Sequence, residues 1–197
     1  MLKGATISLR PVMEGDLDVI HATSLDLDTR GPWYPLPSQS LAKFRAKFAD
    51  SGFWTSDEGT FLIVDHDDRK LGIVSWGKLE NYGSDIELAY RLFDRASMGK
   101  GIATEAVSLM ADYLLDWQPV HRLVIFTHVD NVPSRRVAEK CGFTHEGTLR
   151  QAWFHRGAWH DITAYSLLRD ERDVARQVER FRGARQDQEL DQRDGSG

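Results

Sequence analysis

Hydrophobic and polar positions change their period several times along the chain, and each change marks an element. Residues 6–10 alternate and stop at Pro11, as a strand at a sheet edge does, because proline has no N–H for the ladder. Over 14–25, Leu17, Ile20 and Leu25 take up helical spacing, with acidic residues in the first turn facing the positive helix end. Prolines at 32, 35 and 37 exclude regular structure over 31–37. Ser38 is placed to cap a second helix, about 41–50, whose stripe is Leu41, Phe44 and Phe48. A hairpin follows, 60–64 and 71–76 around a polar turn. After Asn81 and Gly83, the apolar Ile86, Leu88, Tyr90 and Leu92 alternate with Asp85, Glu87, Ala89 and Arg91, a further strand.

A helix is expected from about 101 to 117, then a largely apolar run at 121–127, the pattern of a strand covered on both faces. Asn131 is placed to cap a short helix running through Ser134, Val137 and Lys140 and ended by Gly142. Strands at about 144–154 and 159–168 meet around Arg156 and Gly157. The order β-α-α-β-β-β-α-β-α-β-β predicts an α/β (α+β) domain over 1–168: a mixed, mostly antiparallel sheet of about seven strands with helices on both faces. The segment 169–197 is mostly charged. Val174, Val178 and Phe181 make a stripe for a terminal helix that packs on its own domain or on a second subunit, a homodimer, and beyond Arg182 a flexible tail is expected.

Composition narrows the class. The net charge of −5 argues against nucleic acid as a partner, which needs a basic surface. One cysteine, Cys141, allows no internal disulfide and fits a reducing, cytoplasmic compartment. MLKGATISLRPV lacks the apolar run of a signal peptide, and no stretch of eighteen apolar residues predicts a membrane span.

The chemistry begins at Met98, Gly99, Lys100, Gly101, Ile102, Ala103 and Thr104. A P-loop needs four residues between its first glycine and a Gly-Lys-Ser/Thr end, and a dinucleotide fingerprint needs glycine at position 104, so neither matches. What remains is a glycine turn feeding a helix, whose bare N–H groups and positive dipole end suit a diphosphate, with Lys100 adding charge. Alone, the loop equally reads as a flexible strand-to-helix connection.

Its neighbours extend the reading. Glu87-Leu88-Ala89-Tyr90, then Gly99 to Ala106, then Asn131-Val132-Pro133-Ser134, then Glu139-Lys140-Cys141-Gly142-Phe143, in that order, resemble the Gcn5-related N-acetyltransferase (GNAT) superfamily. More narrowly they resemble its RimJ/RimL branch, which acetylates ribosomal-protein N-termini; Glu146 to Arg150 and the Gly157-x-x-x-Asp161 spacing match that branch too. The resemblance covers about 5–168. It implies acetyl-CoA as donor, with pyrophosphate on the 98–104 loop and pantetheine inserted between the strands at 86–92 and 121–127. Leu88, Ala89, Tyr90, Asn131, Ser134 and Arg135 are the further cofactor contacts it implies. Three positions depart from it: Met98 stands where Gln or Arg usually opens the loop, Ala138 where many members carry a thiolate-protonating tyrosine, and Trp153 where some relatives have an acidic residue.

Transfer to an amine needs a base, oxyanion donors and a route for the thiolate to leave. Glu87 is the candidate base, acting through ordered water, unless it pairs with a basic side chain. Ser134, the hydroxyl nearest the vacant tyrosine place, is the candidate acid, unless it caps its helix. Arg135 and Arg136 either steer the cofactor's 3′-phosphate or form a solvated helix face. Trp33, Tyr34, Trp153, Phe154 and Trp159 are candidate walls of an acceptor groove, or ordinary core. His155, His160 and Asp161 lack a metal-site spacing, so no metal is expected. The expected function is N-acetyltransfer by direct attack in a ternary complex, the acceptor a protein N-terminus or a small amine. Antibiotic or metabolite detoxification is one alternative, and a non-catalytic acyl-CoA-binding regulatory module is another.

Overall fold

The computed structural model describes residues 1–26, 31–34, 39–79 and 85–173. Eight strands form one sheet: β1 (Leu2–Lys3), β2 (Ser8–Pro11), β3 (Glu58–Val64), β4 (Lys70–Lys78), β5 (Ile86–Leu92), β6 (Arg122–His128), β7 (Thr144–His155) and β8 (Ala158–Leu168). Helices α1 (Leu17–Leu25), α2 (Leu41–Ser51), α3 (Ile102–Trp117) and α4 (Val132–Lys140) accompany them. The sheet order is β1-β2-β3-β4-β5-β6-β8-β7, antiparallel throughout except for the parallel β5–β6 pair.

The expected element order holds, with two local corrections. The short β1 pairs outside β2, so the strand ending at Pro11 is not the edge; Pro11 sits at the end of its ladder, opposite Phe61. The second helix is capped by Ser40, which accepts a hydrogen bond from Lys43 N–H, while Ser38 lies outside the described residues. The terminal stripe of Val174, Val178 and Phe181 also lies outside them.

Alternation along the central strands sends side chains to two separate cores. Ile86 and Leu88 of β5 and Leu123 and Ile125 of β6 pack against Val107, Met110 and Leu114 of α3 and Ala138 of α4. On the opposite face Leu62 and Val64 of β3 join Leu17 and Ile20 of α1, with Phe44 and Phe48 of α2 against them. Each fully buried Leu or Ile contributes about 1.5–3 kcal/mol, so the two layers clamp the sheet from both sides. Just past β8, Arg172 reaches back to Asp112 (2.7 Å) and Ser108 (2.8 Å) and ties the chain to α3. No helix among the described residues is long and apolar enough to cross a membrane.

One irregularity positions the site. β4 pairs with β5 along its length, and β8 with β6 along its length. β5 and β6 pair with each other at only two rungs, Ile86–Leu123 and Glu87–Val124. Beyond Glu87 the strands diverge, each held by its outer neighbour, and the facing edges of both are left unpaired.

Candidate active site

The glycine loop and the divergent strands share the C-terminal end of β5. Asp94 starts the approach: its carboxylate accepts from Ser97 N–H (2.6 Å) and pairs with Arg69 (3.0 Å), folding a single 3-10 turn. Gly99 (φ 73°) and Gly101 (φ 83°) then take left-handed conformations, and Gly101 is the residue from which α3 departs. A Cβ at either glycine would meet no atom within 4 Å, so the backbone conformation and access, not crowding, select glycine. The first α-helical bond runs from Glu105 N–H to Gly101 O (2.9 Å). The N–H groups of residues 99–104 therefore face the loop without a backbone partner. Glu105 itself is committed elsewhere, its carboxylate binding the N–H and hydroxyl of Thr6. Lys100 and Met98 are exposed at the rim.

Glu87 lies on the last rung before the divergence, on the α1–α2 face. It is half-buried, and among the described residues its carboxylate has no hydrogen-bond or ion-pair partner. Burial alone therefore acts on it, and holds its pKa above the ordinary carboxylate value. Asp85 and Arg91, at the same strand spacing, are occupied: Asp85 lies 3.6 Å from Arg122, and Arg91 donates to Ile20 O (3.3 Å).

On the opposite face α4 delivers a hydroxyl to the cleft. Asn131 caps the helix, accepting from Ser134 N–H (3.3 Å), so the capping role belongs to Asn131 and the Ser134 side chain is released from it. Ser134 Oγ instead meets the phenol of Tyr90 at 2.9 Å. Ala138 is fully buried in the core. Arg135, expected at the cofactor, is directed inward: Nε donates to Tyr165 Oη (3.1 Å) and Nη1 to Val129 O (3.1 Å), while Arg136 is exposed. Cys141 is buried and its thiol is pushed up to about 11 by desolvation, which suppresses nucleophilic thiolate.

A cavity of about 540 Å³ joins these groups, and Glu87, Tyr90 and Ser134 line it together with Trp33, Tyr34, His128 and Trp153. Phe154 and Trp159 do not reach it. They are 57% and 61% exposed and pack on each other edge-to-face at 5.4 Å, which corrects their expected place in the groove. His128 was not expected there; Trp33 stacks on its ring at 4.1 Å. Among the described residues no group of three His, Cys, Asp or Glu could hold a metal; His155 and His160 turn their Nε2 atoms to Pro32 O (2.6 Å) and His155 O (3.0 Å). A separate concavity at Asp116–His121 has its arginine, Arg169, spent on the carbonyls of Gln118 and Val120.

Residues 6–144 match the family description "Acetyltransferase (GNAT) domain". The chain belongs to the GNAT acetyltransferase family. Its relatives include the ribosomal-protein-serine acetyltransferase of Escherichia coli K12, 31% identical over 109 residues, which are 55% of this chain and 60% of that protein. The chain thus spans less than two thirds of that relative's length. Among solved structures, spermidine N-acetyltransferase from Vibrio cholerae in complex with CoA and spermine superposes with a TM-score of 0.74 at 22% identity, covering 84% of this chain and 96% of that one. RimL, the ribosomal L7/L12 alpha-N-protein acetyltransferase, in complex with coenzyme A, superposes at 0.70 with 23% identity, covering 84% and 95%. The GNAT fold is therefore shared with proteins named for two kinds of acceptor.

Proposed function

We propose that the chain is an acetyl-CoA-dependent N-acetyltransferase of the ribosomal type, acting on the primary amine of a protein N-terminus by direct attack in a ternary complex. The observation that carries this reading is Glu87: a half-buried carboxylate without a partner among the described residues, at the point where β5 and β6 separate and facing the cavity. Structural carboxylates in such places pair; one left bare and raised in pKa suits proton abstraction near neutral pH.

The N–H groups of residues 99–104 hold the diphosphate of the donor, and the unpaired inner edge of β5 receives its pantetheine arm. The donor supplies a thioester carbonyl. Glu87 takes the proton of the incoming ammonium through an ordered water, so that a neutral amine forms the new C–N bond. Backbone N–H groups of the diverging strand answer the oxyanion. As the C–S bond breaks, Ser134 protonates the leaving thiolate; the attacking nitrogen releases its second proton to solvent, solvent returns one to Ser134 through Tyr90, and Glu87 passes the first to bulk water.

A small amine as acceptor is the second reading, favoured by the aromatic walls Trp33 and Trp153. In the third, the chain is a regulatory acyl-CoA-binding module without turnover. Mass spectrometry of a mixed panel separates them: peptides with Ser, Ala or Met termini, polyamines and aminoglycosides, each incubated with acetyl-CoA. One acetyl group gained on peptide termini supports the proposal. Gain on small amines alone transfers the protein to the second reading, and acetyl-CoA binding without any transfer to the third.

A further inference from the structure

His128 closes β6 at the mouth of the cavity, and its two ring nitrogens stand in different situations. Nδ1 accepts the backbone N–H of Asp130 at 3.0 Å, so the proton of the neutral ring sits on Nε2. Nε2 is buried and has no hydrogen-bond partner. The side chain is 3% exposed, walled by Trp33 (4.1 Å, stacked), His160 (4.9 Å) and Trp153 (6.2 Å, edge-on). Desolvation lowers the pKa of this imidazole and the neighbouring His160 and His155 lower it further, against the opposing pull of Asp130 and Asp161. The ring is a neutral donor on a residue that lines the cavity, its Nε2 enclosed and unanswered.

Its position relative to Glu87 follows from register. Glu87 pairs with Val124, and Val124, Phe126 and His128 alternate onto one face, so His128 and Glu87 share the α1–α2 side of the sheet. Four residues of β6 separate their rungs, roughly 13 Å at a strand's rise. That length holds an ordered water, the amine and about one extended residue of 3.3–3.6 Å.

We infer that His128 selects the acceptor by donating its Nε2–H to a carbonyl oxygen within the first two residues of a peptide, which deepens and rests on the transferase reading above. A polyamine has no such oxygen to offer. It brings further ammonium groups instead, and Glu87 is the only carboxylate among the described residues lining the cavity. An orphaned N–H donor suits a peptide's first carbonyl and offers a second ammonium no acceptor, so the selection rests on this donor and not on the aromatic walls, whose faces attract cations.

The test uses the full chain with a hexapeptide beginning Ser-Ala and, separately, spermidine. His128→Phe keeps the ring volume and removes the donor; His128→Gln keeps an N–H at similar reach. With acetyl-CoA saturating, His128→Phe is expected to raise the peptide KM by about tenfold to a hundredfold, the loss of one buried hydrogen bond, with kcat little changed. His128→Gln is expected to recover part of that loss, and spermidine turnover is expected to stay low and indifferent to position 128. Peptide affinity is measured in parallel by calorimetry on CoA-loaded protein, whose unchanged CoA affinity certifies each variant as folded. A peptide KM and affinity indifferent to His128→Phe, or a parent protein that prefers spermidine, overturns the inference. Peptide binding that depends on His128 without any acetyl transfer upholds it and sinks the transferase reading.

Discussion

Tyr90 and Ser134, forty-four residues apart in sequence, meet hydroxyl to hydroxyl at 2.9 Å across the opening between β5 and α4. Desolvation raises the Tyr90 pKa to about 12, against the lowering effect of its bond to Ser134, so the phenol stays protonated at any working pH. In the proposed reaction, a neutral phenol behind the serine relays a proton back to it after the serine gives one away.

Ser134→Ala is expected to lower kcat by about 10²–10⁴, the range for a positioned acid, with the acetyl-CoA KM little changed. Tyr90→Phe is expected to cost less, and the double variant no more than Ser134→Ala alone, because the two act as one relay. Steady-state kinetics of the three variants measures this; additive losses would separate the hydroxyls.

Gly101→Ala isolates the loop. The methyl meets no protein atom, so its cost is the left-handed backbone, about 1–2 kcal/mol in stability. Where a diphosphate is to lie against the same N–H groups, the methyl intrudes as well. Thermal melts with and without CoA are expected to show the midpoint lowered in both, and the upward shift given by CoA reduced. A full CoA shift in the variant would place the diphosphate elsewhere.

Asp16 governs acid stability. It is 2% exposed, bonded by Arg10 (2.7 Å) and Lys70 (2.8 Å) and by Met13 N–H (2.9 Å). Desolvation pushes its pKa up, but these bonds outweigh it and bring the carboxyl to about 2. With the folded value below the unfolded one, the contribution is full above the ordinary carboxylate range and is lost as pH falls through about 2. Asp16→Asn is expected to cost about 1.5–3 kcal/mol at neutral pH, because Arg10 keeps Asp68 (2.9 Å) but loses its buried, charge-assisted partner. Denaturant unfolding at pH 7 and at pH 3 checks the size and the pH window.

Much of this was legible in the sequence. Periods of two and 3.6 placed the strands and helices because each element has one dominant buried face. Gly99, Gly101 and Asn131 announced a loop and a cap whose geometry is local. What escaped depends on register. β7 carries an irregularity between Leu149 and Trp153, where Gln151 takes φ 49° and its N–H binds Asp161 (2.8 Å). That bulge aims Trp153 into the cavity, and its neighbour Phe154 necessarily points away, taking Trp159 with it. Arg135 was assigned by its place on α4, while the partners that turn it inward, Tyr165 and Val129, lie on other elements. His128 ends an apolar run and gives no signal until the parallel pairing of Glu87 with Val124 puts it on the same face as the candidate base.

The central claim concerns Glu87. Because burial raises its pKa, its ionisation opposes folding: its stabilising contribution is full below the unfolded pKa and is lost as pH rises through the folded one. Glu87→Gln is therefore expected to melt no lower than the parent at neutral pH. The decisive measurement is kcat/KM of parent and Glu87→Gln against pH, with CoA affinity determined for both. The account predicts an acid limb in the parent lying above the ordinary carboxylate range, its disappearance in the variant, a fall in transfer of about a hundredfold or more, and unchanged CoA affinity. A variant that keeps both the rate and the acid limb would contradict it.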